Sequence, residues 1–295
     1  MFMEHFSISR DLPRNVLLAL AMNRHLLKCL SFFGRELSPE KWVFVVGCYD
    51  SGTTILASLL RDHPRIGGMP NEGSLLTDTL PVPEYLGWPR MWSECVDQLS
   101  IPPEEESWRA RRVKRHWSLW FDRRAPVLAE KSISNMTRLG FLERHFSPAY
   151  FIHIIRNGYA VSAGIRKNAN MRRWKARFDT YPIEMCARQW VVSDEMFEMQ
   201  RAGLSRHISV YYEDFAERPY DTMRTITDFL EEDPIKEEMI SKKRSIHQYN
   251  SQVTNMNPDS MKVLSLSDID AIERVAGERL RIHGYEKPQY VRESV

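Results

Sequence analysis

VFVVGCYDSGTTILASLLRDHP, residues 43–64, runs from a solid apolar stretch through a turn of small residues into a segment with helical spacing. That order reads as strand, loop and helix, and it gathers backbone N–H groups and the positive end of a helix dipole at one point. Gly47 and Gly52 are spaced as in the phosphate loop G-x-x-x-x-G-K-[ST], with Tyr49, Asp50 and Ser51 between them and Thr53 and Thr54 after. Thr53 stands where that loop carries the lysine that reaches the β- and γ-phosphates. The stretch therefore suits one phosphate-like group held by amides and hydroxyls, and it argues against transfer of a nucleotide γ-phosphate. An ordinary strand-to-helix turn is the plainer alternative, since Gly, Ser and Thr are common in such turns.

Outward from this stretch, short apolar runs at 43–47, 126–129, 150–155 and 208–212 alternate with helical patterns at 52–62, 135–146, 159–170, 183–203 and 219–231. Pro219 suits the first turn of one helix. Ser267 is expected to cap a last helix that Gly284 stops. Solid apolar strands alternating with helices predict an α/β fold, P-loop-like and three-layered, with a central parallel sheet flanked by helices. Ligands of such sheets sit beyond the carboxyl ends of the strands, where this loop lies. The domain reading is an N-terminal helical segment over 1–40 packed on a domain of 41–295, which carries an irregular insertion at about 73–120. Its Pro-rich part, 81–103, holds Trp88 and Trp92.

The chain of 295 residues carries 41 Lys plus Arg against 39 Asp plus Glu, a net charge of +2. That balance excludes a general nucleic-acid binder, which needs a large basic excess. Cys29, Cys48, Cys95 and Cys186 are scattered without C-x-x-C spacing and read as reduced thiols of a cytoplasmic protein. Residues 15–34 are apolar but broken by Asn23, Arg24, His25 and Lys28. They read as an amphipathic helix packed on the domain and not as a transmembrane segment, with a helix lying on a membrane surface as the alternative. No His/Cys/Asp cluster has metal-ligand spacing, so no metal is expected.

A second stretch, AYFIHIIRNGYAVSAGIRKNANM from residue 149, is again strand, then Arg156, then helix. Arg156 and Ser162 lie six apart across the helix start, where arginine grips phosphate oxygens and a serine completes the ring. A solvated strand-end charge is the plainer reading of Arg156. Together the two stretches resemble the sulfotransferases that use 3′-phosphoadenosine 5′-phosphosulfate (PAPS). AEKSISN at 129–135, with Ile133 where that family has Pro, VYYEDFAERPYDTMRTITDFL at 210–230, and RIHGY at 281–285 are similar to three further family segments. The resemblance runs from about residue 42 to 285. It is nearest to the branch of tyrosylprotein and bacterial carbohydrate sulfotransferases.

The resemblance implies that PAPS is the co-substrate. Gly47, Tyr49, Asp50, Ser51, Gly52, Thr53 and Thr54 would hold its 5′-phosphosulfate. Arg156 and Ser162 would hold its 3′-phosphate, with Tyr212 at the adenine and Lys262 reaching in by its place before the last helix. Glu72, in GGMPNEGSLL, would be the general base, Lys131 would stabilise the leaving oxygen, and Ser245 would assist near the sulfate. His63 and His116 are rival bases. The family has Arg or Lys before SGTT, and here that residue is Asp50. Either another cation fills in, with Lys131 first and Arg61, Arg65 or Arg124 behind it, or Asp50 points away, or activity is lost. The expected reaction moves a sulfuryl group to an acceptor hydroxyl, of a carbohydrate or small metabolite ahead of a peptide tyrosine. A P-loop kinase and a catalytically inactive sulfotransferase-like binding protein are the alternatives.

Overall fold

Five parallel strands in the order β2-β3-β1-β4-β5 carry the site. They belong to a computed structural model that describes residues 27–29, 31–121, 124–242, 244–246, 249–251 and 253–289, with the backbone alone over 244–251. β1 (Lys41–Gly47) is central. It is followed by α1 (Thr53–Leu60), the short edge strand β2 (Ile66–Gly68), and then α2 (Pro103–Trp117) and β3 (Val127–Lys131). α3 (Leu139–His145) leads to β4 (Ala149–Ile155), and α4 (Gly158–Asn168) and α5 (Ile183–Gln200) lead to β5 (His207–Tyr211). α6 (Tyr212–Glu217), α7 (Pro219–Phe229), a small β6–β7 hairpin (Arg244–Ile246, Tyr249–Ser251), α8 (Asn257–Met261) and α9 (Leu266–Ile282) complete the order.

Alternation along β1 builds two cores. Trp42, Phe44 and Val46 face one cluster with residues of α2, α3, α4, α5 and α9, while Val43 and Val45 face the other with residues of α1, α6 and α7. The result is helix, sheet, helix. The first cluster is rich in aromatic rings: Trp42 meets Phe146 edge-on at 5.0 Å and lies 5.9 Å from Trp117. Each such ring, fully buried, contributes about 1.5–3 kcal/mol of transfer free energy.

The strand order has a functional consequence. From β1 the chain moves outward to β2 and β3 on one side and to β4 and β5 on the other, so the crevice beyond the carboxyl end of β1 is a topological switch point. The loop 47–53 opens into it between the ends of β3 and β4.

Three local expectations change. The last helix begins at Leu266 and is capped by Ser265 in a capping box with Asp268, in place of Ser267. Residues 133–138 form a 3₁₀ turn before α3. The stretch 73–120 is not irregular throughout, because α2 occupies its last third. Pro103 at the helix start, Glu104, Glu105 and Glu106 in the first turn, and Lys114, Arg115 and His116 in the last match the helix dipole. Ala110, Val113 and Trp117 are its buried stripe. Trp88 and Trp92 are buried in the same cluster, so these residues are part of the core. Most of the 1–40 segment lies outside the described residues. Among the described residues no helix is long and apolar enough to cross a membrane.

Candidate functional site

The loop after β1 closes tightly. Gly52 has φ 94, and a Cβ there would fall 2.7 Å from the Tyr212 ring, so the position demands glycine on both counts. Gly52 also caps α1 without a side-chain bond, which leaves the first amides of the helix open toward the crevice. Ser51 is buried and its Oγ has no hydrogen-bond partner among the described residues. A hydroxyl left unsatisfied beside open amides fits an anion.

Arg156 leaves the end of β4 and lies across this loop. Its Nη1 donates to the Asp50 carbonyl at 2.5 Å, its Nε to Asn257 Oδ1 at 2.7 Å and its Nη2 to Ser260 Oγ at 3.1 Å. Its guanidinium sits 4.2 Å from the centre of the Tyr212 ring. The structure thus brings the loop, Arg156 and Tyr212 together, and α8 stands over them. Tyr212, which opens α6, donates to the Thr254 carbonyl at 2.9 Å and accepts from the Met256 amide at 3.1 Å. Ser162 lies inside α4, fully buried, with its hydroxyl donating to the Gly158 carbonyl. Lys262 is exposed and pairs with Asp259. Ser245 lies in β6, and its side chain is outside the described residues.

On the other side of the crevice Lys131 Nζ meets Glu72 Oε1 at 2.7 Å. Two neighbours in β3 hold this pair. Lys131 takes the Glu72 carboxylate, while Glu130 accepts the next amide, Gly73 N–H, at 2.8 Å. Trp117 Nε1 donates to the Gly73 carbonyl at 2.9 Å. A Cβ at Gly73 would meet Met69, Trp117 and Glu130 within 2.8 Å, so glycine is required for this packing. Glu130 also accepts from Ser132 Oγ and from Asn135 Nδ2. Burial pushes its carboxyl up to about 7, Glu72 adds to the rise, and the Ser132 and Gly73 bonds oppose it.

The rival histidines are both locked. His63 Nε2 lies 2.9 Å from the Asp233 carbonyl, and its Nδ1 accepts from the Arg65 amide. His116 is fully buried between Thr77 Oγ1 and the Leu27 carbonyl, and burial lowers its pKa. Neither histidine faces the crevice. Of the cations expected to offset Asp50, Arg61 donates to the Met69 carbonyl and Arg65 pairs with Glu40 and Glu232. Arg65 and Arg124 also precede β2 and β3, at the opposite ends of the strands from the loop.

The side chain that meets Asp50 is Arg90, from the Pro-rich stretch, with Nη2 2.9 Å from Oδ1. Asn168, at the end of α4, donates to the same oxygen at 2.9 Å. No local pattern pointed to Arg90, Asn257 or Ser260, because tertiary packing alone brings them here. Glu130, by contrast, lay in the AEKSISN segment with its position legible and its task not. Among the described residues no group of His, Cys, Asp and Glu is arranged to hold a metal.

A sequence model of the sulfotransferase family matches residues 43–237. Protein-tyrosine sulfotransferase A of Caenorhabditis elegans is 23% identical over 250 residues, 80% of this chain and 61% of that one. Protein-tyrosine sulfotransferase 1 of Danio rerio is 24% identical over 197 residues, covering 64% and 52%. The chain therefore spans between half and two thirds of the length of these curated relatives. The crystal structure of a sulfotransferase from Mycobacterium tuberculosis superposes with a TM-score of 0.55 at 16% identity, over 90% of this chain and 84% of that one, and so shares the fold.

Proposed function

The chain belongs to the sulfotransferase family, and from that premise we propose that it moves a sulfuryl group from PAPS to an acceptor hydroxyl. The observation that carries this reading is the Glu72–Lys131 pair at a switch-point crevice whose loop gives the α1 N-terminus no side-chain cap and leaves Ser51 Oγ without a partner among the described residues. The loop amides and Ser51 suit the 5′-phosphosulfate, and Arg156 over Tyr212 suits a second phosphate. A three-part task follows. Glu72 takes the proton of the acceptor hydroxyl as its oxygen attacks sulfur. The bond from sulfur to the bridging oxygen breaks, and Lys131 stabilises the charge left on that oxygen. Glu130 and Trp117, by fixing the backbone of Gly73, hold the base in place.

The names of the relatives support a tyrosyl phenol as acceptor, ahead of the carbohydrate or small metabolite expected from the sequence. The surface agrees with an acceptor that carries negative charge. Arg172, Arg173, Lys175 and Arg177 surround Trp174 in one short stretch. Trp174 meets Tyr85 and Arg177 lies over Trp88, so this basic, aromatic rim packs on the same segment that carries Arg90. Four unbridged cysteines support a cytoplasmic setting as part of the proposal.

The test is thermal unfolding with the desulfated donor, 3′-phosphoadenosine 5′-phosphate (PAP), against ATP with Mg²⁺. At a hundred times its dissociation constant PAP adds about 2.7 kcal/mol of stability. Equal shifts from both nucleotides would favour a kinase-like protein. Labelled-sulfate transfer to tyrosyl peptides and to sugars then ranks the acceptors. PAP binding without transfer to any acceptor would indicate the inactive binding protein.

A further inference from the structure

Asp50 puts a carboxylate into a loop built to receive an anion, and the structure shows what is done with it. Its backbone is left-handed at φ 58, and its side chain turns against α4, where a Cβ at Gly164 would lie 2.9 Å from it. Oδ1 takes both Arg90 and Asn168, while Oδ2 is buried with no hydrogen-bond partner among the described residues. Arg90 is itself left-handed at φ 59, and its guanidinium lies 5.5 Å from the centre of the Tyr49 ring, on the residue before Asp50. One of its nitrogens is bonded to Asp50, and its Nε is buried with no partner among the described residues. Burial opposes the charge of Arg90, and the carboxylates of Asp50 and, further off, Glu72 outweigh it, so its pKa lies above the ordinary value. Arg90 therefore stands beside the loop, charged, tethered to Asp50 by one nitrogen and holding a buried donor that nothing among the described residues satisfies. A buried arginine N–H rarely stays unpaired unless a ligand takes it.

We infer that Arg90 supplies the positive charge of the donor loop, transposed from the loop itself to the Pro-rich insertion, and that it contacts the sulfuryl group in transfer while Asp50 serves as its tether. This rests on the sulfotransferase reading above and deepens it. The loop and insertion then form one unit. The segment that presents the basic rim to the acceptor also presents Arg90 to the donor, so an acceptor that presses on residues 84–90 bears directly on the charge beside the sulfur. Asp50 keeps the guanidinium from swinging out and has no part in holding the anion.

Titration calorimetry without acceptor tests the assignment, using PAPS and PAP on wild type, Arg90→Gln, Arg90→Lys, the singles Asp50→Arg and Arg90→Asp, and the transposed double variant Asp50→Arg/Arg90→Asp. A charged hydrogen bond to the sulfuryl group is expected to cost PAPS affinity roughly 10–100-fold in Arg90→Gln, with PAP, which lacks that group, changed far less. Arg90→Lys keeps part of the preference for PAPS, and the double variant recovers more of it than the sum of Asp50→Arg and Arg90→Asp predicts. Equal losses for both nucleotides, together with a lower melting temperature, would make Arg90 a structural residue and overturn the inference. So would a double variant no better than the sum of its singles. If wild type binds neither nucleotide the sulfotransferase reading itself fails. If wild type prefers PAPS and Arg90→Gln prefers it equally, only the assignment of Arg90 fails.

Discussion

The two flanks of the crevice are built by different means. On the β3 side, Glu72 is held through backbone: Glu130 takes the Gly73 amide, Trp117 takes the Gly73 carbonyl, and Ser132 Oγ accepts the Ser74 amide at 3.0 Å. These groups come from the sheet and the core. On the β4 side, Arg156 is held largely by side chains of α8, a helix about a hundred residues further along the chain. α8 is tied down in turn by Asn257 to Glu213 at 2.6 Å, and Glu213 also accepts from Tyr285 at 2.9 Å. Backbone clamps anchored in a core open only with the core, whereas side-chain contacts of a short surface helix open locally at less cost. The proposed chemical pair is thus preorganised, and the proposed donor-recognition side is covered by a piece that can move.

The largest effect expected tests the rigid flank. Glu72→Gln lowers turnover about 10²–10⁴-fold, the usual contribution of general acid–base catalysis, with PAP affinity unchanged. Transfer assays with calorimetry check both halves, and normal turnover removes Glu72 from the mechanism. The next effect belongs to the covered flank. Arg156→Ala weakens PAP by roughly 10–100-fold, because a charged hydrogen bond is worth about 1.5–3 kcal/mol. Unchanged PAP affinity in a folded variant would remove Arg156 from the donor site.

Loosening the cover sharpens the contrast further. In Asn257→Ala/Ser260→Ala, Arg156 loses two neutral partners, each worth about 1 kcal/mol, and PAP affinity holds or rises several-fold while amide exchange over 254–262 quickens. A fall in affinity would instead make α8 a part of the donor site.

The smallest effect is a pH slope on the rigid flank. The Glu130 carboxyl is raised by burial from 4.5 to about 7. The folded state therefore holds this proton more tightly than the unfolded one, a contribution complete below pH 4.5 and lost as pH rises through about 7. Glu130→Gln flattens that part of the stability profile, read as a smaller change in unfolding midpoint between about pH 5 and pH 8. An unaltered slope would assign it to Glu84, whose carboxyl burial also pushes up to about 7.

How much of this was legible follows from the range of the forces involved. Val43–Gly47, Gly52 and the pattern of α1 are local: apolar runs, turn residues and period set strand, loop and helix without help. The end charges of α2 are equally local, but the prolines at 81–103 mask the Glu and Lys/Arg ends of the helix that follows. Ser265 rather than Ser267 caps α9 because Asp268 completes a capping box only from there, a choice between two adjacent serines that spacing alone leaves open.

By itself, then, the sequence determined a parallel α/β sheet with a strand–loop–helix turn lacking the kinase lysine, and the resemblance of its short motifs to the sulfotransferases singled out Glu72, Lys131 and Arg156 as the residues to watch. It did so because periodicity, turn chemistry and short motifs are properties of neighbours in the chain. The tertiary structure alone decided that Lys131 pairs with Glu72 across 59 positions, that Asn257 and Ser260 cover Arg156, and that Arg90 and not Arg61, Arg65 or Arg124 answers Asp50. Those pairings depend on strand order and on which loops meet at the crevice beyond β1. A charge finds its partner through that geometry, and the residues along the chain between them carry no trace of it.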